Sequence, residues 1–328
     1  MRFRAALAAL ICCAAFGAQA ETLKIGLLKT SGVSPLYIGV ERGYFAEVGL
    51  SLEYVVFDSA EPVAVATVSG AIDMGATGLT AGFYSLAGKG ALTMVASDSF
   101  ERAGYQGQAV LISNHAAETG LKAFTDLPGR SVGISQIGGA PHYSLGLLAE
   151  HFGFPLKSVT VLPLQNNANR ISAVVGGTAD AAILPAAYAM PSLQRGDAKL
   201  LGWVGDYTPW QVAGVFIGTK TAKDRADTVR RFLVAWRRGA QDYHDAFSGP
   251  DERPAFGPTA PAILAIIAKA LGQSADDVKR SIGYLEPQGR IDVKDIEHQL
   301  AWYKAQGMLK GDFGAADVID RNFAIPLP

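Results

Sequence analysis

A short pattern that occurs once in each half of the chain limits the folds open to it. The pattern Val-x-Gly-x-x-Asp spans residues 68–73 and recurs at identical spacing in residues 175–180. In each copy the Gly suits the left-handed end of a helix, and the Asp suits the turn that begins a short buried strand. Gly78 and Pro185 follow those strands and are expected to open the next helices. The repeat therefore predicts two similar lobes, each directing a helix N-terminus at a shared cleft.

Apolar runs of strand length alternate with segments of helical length and period. The runs lie at residues 23–28, 52–57, 92–96, 109–112, 131–134, 159–164, 181–184 and 212–217. Such alternation predicts an α/β fold of βαβ units, with mostly parallel sheets flanked by helices. Beyond residue 221 the pattern is helical, and the predicted helices span residues 224–247, 260–272, 274–282 and 292–307. We expect this tail to pack on the first lobe.

The first 20 residues predict a cleavable export signal. A basic start precedes an apolar run at residues 5–16, and Ala18 and Ala20 form an A-x-A cleavage pattern. Both cysteines, Cys12 and Cys13, lie in this segment, and neither follows the small residue expected before a lipid-modified cysteine. The sequence thus predicts a freely soluble periplasmic protein rather than a lipoprotein.

Composition argues against several classes of protein. The chain has 29 basic and 30 acidic residues without charge runs, so nothing favours a nucleic-acid surface. The part after the signal has no cysteine, and its five histidines show no metal-site spacing, so we predict no catalytic cysteine, metal or cofactor. About 300 residues remain after cleavage, which suits two lobes better than one core.

Two motifs carry a family likeness that extends to about residue 217. A Ser-Pro-x-Tyr turn at residues 34–37 precedes Gly-Tyr-Phe-x-x-x-Gly-Leu at residues 43–50. This stretch resembles the opening of the substrate-binding proteins of ABC importers in the sulfonate, nitrate, taurine and thiamine-precursor group. Asp-Leu-Pro-Gly-Arg-Ser-Val-Gly-Ile at residues 126–134 is similar to the entry to the second lobe in that family.

The resemblance implies a type II periplasmic binding protein fold, with the ligand cleft between two α/β lobes. We expect residues 21–106 plus 211–328 to form lobe 1 and residues 107–210 to form lobe 2, joined by crossings near residues 105–108 and 206–211. The implied function is that of a monomeric periplasmic receptor. Its partners would be a small-molecule ligand and an inner-membrane ABC permease with its cytoplasmic ATPase.

The candidate ligand contacts lie on the turns that would face the cleft. The turn at residues 135–143 has a Gly-Gly pair, which permits close approach, and a helix start whose amides attract a carboxylate or sulfonate. Aromatic residues cluster at residues 203–210 and suit a planar ligand. The predicted ligand-binding residues are Ser34, Tyr37, Thr77, Gly78, Thr80, Gln136, Gly138, Gly139, Ala140, His142, Tyr143, Pro185, Tyr188, Tyr207 and Trp210.

The sequence predicts a small organic anion or planar compound as ligand; it favours an aromatic carboxylate or sulfonate and leaves a pyrimidine or other thiamine-like precursor open. Arg102 and Arg170 are the cations nearest to the predicted cleft loops, and either could pair with a ligand anion. An enzyme of the thiamine-pyrimidine or menaquinone-pathway type on the same scaffold is the rival interpretation. His142 is its one candidate acid or base, and no catalytic residue is assigned. A ligand receptor that reports to a sensor protein is the third interpretation.

Overall fold

The computed structural model describes residues 20–328, so nearly all of the predicted export signal lies outside the described residues. Numbered in chain order, the strands are β1 (Glu21–Leu27), β2 (Leu50–Val56), β3 (Met74–Gly78), β4 (Leu92–Ser97), β5 (Ser99–Glu101), β6 (Gln108–Ser113), β7 (Ser131–Ile134), β8 (Thr160–Pro163), β9 (Ala181–Pro185), β10 (Ala198–Trp203), β11 (Trp210–Gln211), β12 (Ala213–Gly218) and β13 (Tyr284–Leu285).

Helices separate most of these strands and form the C-terminal part of the chain. They are α1 (Ser34–Glu41), α2 (Tyr44–Glu47), α3 (Ala60–Ser69), α4 (Ala81–Ala87), α5 (Asn114–Glu118), α6 (Ala140–Phe152), α7 (Asn167–Val175), α8 (Ala186–Arg195), α9 (Thr219–Asp224), α10 (Ala226–Phe247), α11 (Ala260–Leu271), α12 (Ala275–Lys279), α13 (Val293–Ala305) and α14 (Ala315–Val318). None of the helices within residues 20–328 combines the length and apolarity needed to cross a bilayer.

Two five-stranded sheets have the same topology, which confirms the predicted α/β fold. The first has the order β2-β1-β3-β12-β4 and the second, read from the opposite edge, β8-β7-β9-β6-β10. In each sheet four strands run in one direction. The exception is β12 or β6, the strand that enters from the other sheet and is antiparallel to its neighbours. Mostly parallel sheets are therefore confirmed.

The two sheets are joined by two connections that also touch each other. The first sheet uses residues 21–97 and 213–218, and the second uses residues 108–203. Within the connections, β5 pairs antiparallel with β11, and β13 adds a third short strand. We propose that the lobe boundaries fall in these connections, near residues 106 and 211.

The repeated Gly-x-x-Asp units have equivalent structures, as the sequence predicted. Gly70 ends α3 with φ +76°, and Gly177 follows the end of α7 with φ +73°. The Asp73 carboxylate accepts a hydrogen bond of 2.7 Å from the Lys24 amide of β1. The Asp180 carboxylate accepts one of 2.8 Å from the amide of Ser131 in β7. Each carboxylate thus ties the start of its strand to the neighbouring central strand.

The C-terminal helices pack mainly on the first sheet, as expected, but α13 also contacts the second half of the molecule. Helices α10 and α11 share a core with α1 and β1, built around side chains such as Phe232 and Trp236. On α13, Gln299 accepts a hydrogen bond of 2.8 Å from the Tyr84 hydroxyl of the first lobe. Trp302 of the same helix packs edge-on against Tyr143 of α6. Helix α13 therefore contacts both halves of the molecule.

Candidate ligand-binding cleft

A cavity of about 180 Å³ lies between the two sheets. It is slightly larger than a cavity of about 150 Å³ that holds one benzene ring in another protein. The first lobe contributes loops after β1, β2, β3 and β4, and the second contributes loops after β7, β8 and β9. These loops follow the carboxyl ends of strands, where open α/β sheets bind ligands.

Several helices begin at the wall of this cavity. Thr80 accepts a hydrogen bond of 3.0 Å from the Phe83 amide and so caps the start of α4. Gly139 stands immediately before α6, whose second residue is Pro141. Asn166 caps α7 by accepting from the Asn169 amide at 2.8 Å. The N-terminal ends of these helices carry partial positive charge, so the cavity favours an anionic group.

Arg170 on α7 is the cation of the cavity wall, and it is only 4% exposed. Its guanidinium donates to the carbonyl of Ile183, to the side-chain oxygen of Asn167 and, at 3.4 Å, to the carbonyl of Asn166. All three acceptors are neutral, and no carboxylate of residues 20–328 forms an ion pair with it. Burial lowers the pKa of Arg170 to about 10, so the side chain remains charged at neutral pH.

Two buried carboxyl groups lie on the opposite wall, after β4. Glu101 is 3% exposed and accepts from the Gln108 amide at 2.9 Å and 3.2 Å. Burial raises the pKa of Glu101 to about 7 although the Gln108 hydrogen bonds oppose the rise. Asp98 is also 3% exposed, and burial raises its pKa well above the usual range. The wall therefore holds carboxyls that the protein does not neutralise with a cation.

Direct contacts join the lobes at the edge of the cavity. The Ala81 amide donates to the Gly138 carbonyl at 2.9 Å, and the Gln136 side-chain amide donates to the Glu61 carboxylate at 2.9 Å. Gly138 has φ +78°, and a Cβ placed there would lie 2.9 Å from the Ala81 methyl. A larger residue at Gly138 would separate the lobes, so glycine is required by both conformation and space.

Comparison with a family model decides the family. The model described as NMT1/THI5 like matches residues 30–252, which is more than half of the chain. The chain belongs to the NMT1/THI5-like family. No curated protein matches it in sequence.

Solved structures with the same fold are distant from this NMT1/THI5-like chain in sequence. The aliphatic sulphonate binding protein SsuA of Escherichia coli has a TM-score of 0.71 at 16% identity, covering 92% of this chain and 98% of its own. SsuA from Xanthomonas axonopodis pv. citri, solved with MOPS, has a TM-score of 0.72 at 18% identity, covering 91% and 98%. The desulfurization enzyme DszB has a TM-score of 0.63 at 14% identity, covering 93% and 96%. These likenesses confirm the periplasmic binding protein fold.

Part of the predicted ligand-binding set lines the cavity of this family member. These residues are mostly turn residues and short polar side chains at the ends of strands. The sheet topology is sufficient to place such residues at the cleft. The predicted residues on the wall are Thr77, Gly78, Thr80, Gln136, Gly139, Ala140 and Pro185.

Other predicted residues are held away from the cavity wall by the protein itself. Ser34 is buried and donates to the Ser31 carbonyl at 2.6 Å, and Gly138 contacts the first lobe. Tyr37 is buried against Tyr54 with ring centroids 5.7 Å apart. The Tyr188 hydroxyl donates to the Lys29 carbonyl across the cleft at 3.4 Å.

The remaining predicted aromatic and imidazole groups pack against one another instead of against the cavity. Tyr143 is buried, its hydroxyl is 2.6 Å from His298 and its ring is 4.8 Å from that of Trp210. His142 accepts from the Gly138 amide at 3.1 Å, and burial lowers its pKa. Tyr207 packs edge-on against Phe124 in a separate aromatic group. None of these four rings lines the cavity formed by the described residues.

The sequence prediction missed several groups on the wall. Asp98 and Glu101 follow the apolar run at residues 92–96. Because ligands of open α/β sheets bind at the carboxyl ends of strands, the sequence contained a signal for both residues. Phe100 and Tyr243 supply the aromatic lining in place of the predicted rings. Tyr243 comes from the C-terminal helix α10, and nothing in its local sequence indicates that it reaches the cleft. Among residues 20–328, no group of three or more His, Cys, Asp or Glu could hold a metal ion.

Proposed function

We propose that this protein is an exported solute-binding receptor of an ABC importer, and that it holds a small organic anion between its lobes. The proposal is supported by the family, by the fold shared with the aliphatic sulphonate binding protein SsuA, and by the cavity that both lobes line. The predicted export signal would place it in the periplasm, as a monomer that presents its ligand to a permease and ATPase.

The observation that carries the proposal is the buried guanidinium of Arg170 without a carboxylate partner. Burying an ionised group is costly unless an opposite charge or a full set of hydrogen bonds compensates. The three bonds to neutral acceptors leave N–H groups for a ligand, because a guanidinium has five donors. A carboxylate or sulfonate would accept two parallel hydrogen bonds from such a group.

The cavity also favours a ligand with one ring. Its volume of about 180 Å³ suits a substituted six-membered ring rather than a large molecule. Phe100, Leu28 and Val33 supply apolar surface on the first-lobe side, while Arg170 lies on the second-lobe side. An aromatic carboxylate or sulfonate would place its ring against the apolar wall and its anion toward Arg170.

The fold shared with DszB keeps an enzyme as the alternative, and the composition of the wall argues for the receptor. Among the described residues that line the cavity there is no Cys, His or Lys. Glu101 has an altered pKa, which is a feature of catalytic acids, but both of its oxygens accept from the Gln108 amide. His142 is committed to the Gly138 amide. The remaining reactive groups on the wall include Ser and Thr hydroxyls and Asp98, which also serve as hydrogen-bonding groups for a ligand, so we favour the receptor.

Ligand screening with a measurement of closure tests the proposal. Thermal shift against aromatic carboxylates, aliphatic and aromatic sulfonates and pyrimidines should identify anions that raise the melting temperature, because a ligand of the folded state stabilises it. Small-angle X-ray scattering with the best anion should show a smaller radius of gyration, because closure accompanies binding. If no anion binds, or if a pyrimidine without negative charge binds best, the proposal is wrong.

A further inference from the structure

Asp98 is a buried acid on the cavity wall that the protein leaves without partners. It follows β4 directly, lines the cavity and is 3% exposed. No hydrogen bond from any residue in the range 20–328 reaches its carboxyl group, and its buried Oδ1 has no partner. Most buried polar side-chain atoms in proteins have at least one partner, so this orphan needs an explanation.

Glu101, three residues further on, shows what a carboxyl group with a purely structural role looks like. It lines the same cavity and is as buried as Asp98, but both of its oxygens accept from the Gln108 amide at the start of β6. The protein therefore provides donors for one of these two acids and none for the other. The difference marks Asp98 as the acid whose donor comes from outside the protein.

Thr77 provides a second unpartnered group on the same wall. It lies at the end of β3, is 5% exposed and lines the cavity. Its buried Oγ1 has no hydrogen-bond partner among the described residues. Both Thr77 and Asp98 are in the first lobe, whereas Arg170 belongs to helix α7 of the second sheet. The cavity thus has a cation without a carboxylate partner on one lobe and two polar groups without partners on the other.

Arg170 and Asp98 do not compensate each other, since no ion pair joins them within the described part of the chain. A ligand with one anionic group would satisfy Arg170 and leave the Asp98 carboxyl buried without a donor. Leaving a buried acceptor without a partner is unfavourable, so such a ligand would bind less tightly than one that also donates to Asp98.

We infer that the ligand is bifunctional: it carries an anionic group for Arg170 and, at its other end, an amine or ammonium nitrogen that donates to Asp98 and Thr77. The inference rests on the proposed function and narrows its ligand class from organic anions to amino-substituted acids. A ligand of this kind contacts both lobes through charge-assisted hydrogen bonds, so it joins the lobes in the closed state.

Matched pairs of probe ligands test the inference. para-(Aminomethyl)benzoate and para-ethylbenzoate have nearly the same shape, and only the first has a donor nitrogen; the meta isomers and the corresponding benzenesulfonates extend the set. Calorimetric titration of the wild-type protein should show at least one amino compound binding about tenfold or more tightly than its ethyl partner, because hydrogen bonds to charged groups are stronger than those between neutral groups.

Two acid-to-amide variants make the test specific. Asp98→Asn should abolish the preference for the amino compound, while the control Glu101→Gln should retain it. Thr77→Val should reduce the preference a few-fold, and it replaces Asp98→Asn if that variant does not fold, as judged by circular dichroism. The readout for each variant is the ratio of its affinities for the amino and ethyl compounds, so an effect that is common to both compounds cancels.

The outcomes separate this inference from the proposed function. If the ethyl and amino compounds bind with equal affinity and Arg170→Gln abolishes the binding of both, the inference is wrong and the receptor proposal stands. If the preference survives both Asp98→Asn and Thr77→Val, the donor is recognised elsewhere and the inference is also wrong. If no acid in the set binds, both fail. A preference that depends on Asp98 and not on Glu101 supports the inference.

Discussion

At the residue scale, the carboxyl groups of the molecule differ in whether the protein provides their hydrogen-bond partners. Asp180 has such partners, because it accepts from the amide and hydroxyl of Ser131, both at 2.8 Å, and forms an ion pair with Arg130 at 3.3 Å. Burial alone would raise its pKa, but these partners lower the pKa overall. A lowered pKa in the folded state means that ionised Asp180 stabilises the protein.

We predict that Asp180→Ala lowers the free energy of unfolding at pH 7 by about 1–3 kcal/mol, because it leaves the Ser131 donors without an acceptor. The difference from wild type should be constant above pH of about 5. It should shrink below pH of about 4, where the carboxyl of the unfolded chain and then that of the folded chain become protonated. Urea unfolding from pH 3 to pH 7 measures this. A difference that does not depend on pH would contradict an ionic role.

Arg170 is predicted to determine affinity for the anion. Arg170→Gln should weaken binding of the best carboxylate or sulfonate about tenfold or more, because a neutral amide cannot replace the charge-assisted pair. Arg195→Gln on the neighbouring helix α8 is the control, since that exposed side chain pairs with Asp197 and lies away from the cavity. Calorimetry on both variants is the measurement, and equal affinities would show that Arg170 does not contact the ligand.

At this scale the sequence predicts local turn interactions better than contacts between side chains that are distant in sequence. The roles of Asp73 and Asp180 follow from their position after a helix-ending glycine, which is local. The burial of Tyr143 between Trp210 and Trp302 is not local, since these residues meet only when α6, β11 and α13 assemble. Recognising that Tyr143 and Trp210 pack with each other instead of lining the cavity therefore requires tertiary information that the pattern does not contain.

At the scale of elements, close helix contacts depend on individual glycines. Helix α10 crosses α1 at Gly239, where an added Cβ would lie 2.3 Å from the backbone oxygen of Pro35. Backbone atoms at the start of α1 cannot move away as a flexible side chain could. The contact fixes α1, and therefore the loop after β1 that lines the cavity.

We predict that Gly239→Ala destabilises the protein by about 1–3 kcal/mol through overpacking, although alanine favours a helix more than glycine does. Val234→Ala, at a half-exposed position on the same helix, should change stability by less than about 0.5 kcal/mol. Chemical denaturation of the two variants compares them. A Gly239→Ala variant as stable as wild type would show that α1 tolerates displacement.

The strands and helices themselves could be predicted because hydrophobic period and glycine position are local signals. The predicted helix at residues 260–272 and the observed α11 (Ala260–Leu271) differ by one residue. The predicted helix at residues 224–247 corresponds to α10 (Ala226–Phe247), which begins two residues later than predicted. Arg225 lies between α9 and α10 and bonds to Glu21 and Asp73, about 150 or more residues away in sequence, so the pattern could not show where α10 begins.

At the scale of the whole molecule, direct contacts between the lobes close the cleft. Gln136 donates to Glu61 across its mouth, and Ala81 donates to Gly138 beside it. These bonds exist only while the lobes touch, so they stabilise the closed state relative to an open one. We therefore expect their strength to contribute to ligand affinity even where they do not touch the ligand.

We predict that Glu61→Ala increases the dissociation rate of the anion by about three- to tenfold, because losing one hydrogen bond to a charged group destabilises the closed state by roughly 1 kcal/mol or more. Glu118→Ala, at an exposed end of α5, is the control. Stopped-flow or surface-based kinetics would measure the rates. An unchanged dissociation rate would show that the Gln136–Glu61 contact does not hold the lobes together.

Native mass spectrometry should be applied to the wild-type and Arg170→Gln proteins, each incubated with a pooled set of carboxylates and sulfonates. We expect one small acidic molecule bound per wild-type chain, released on denaturation, and none or far less on the variant. Equal binding to both proteins, or binding to neither, would contradict the claim that this cleft is an anion receptor built around Arg170.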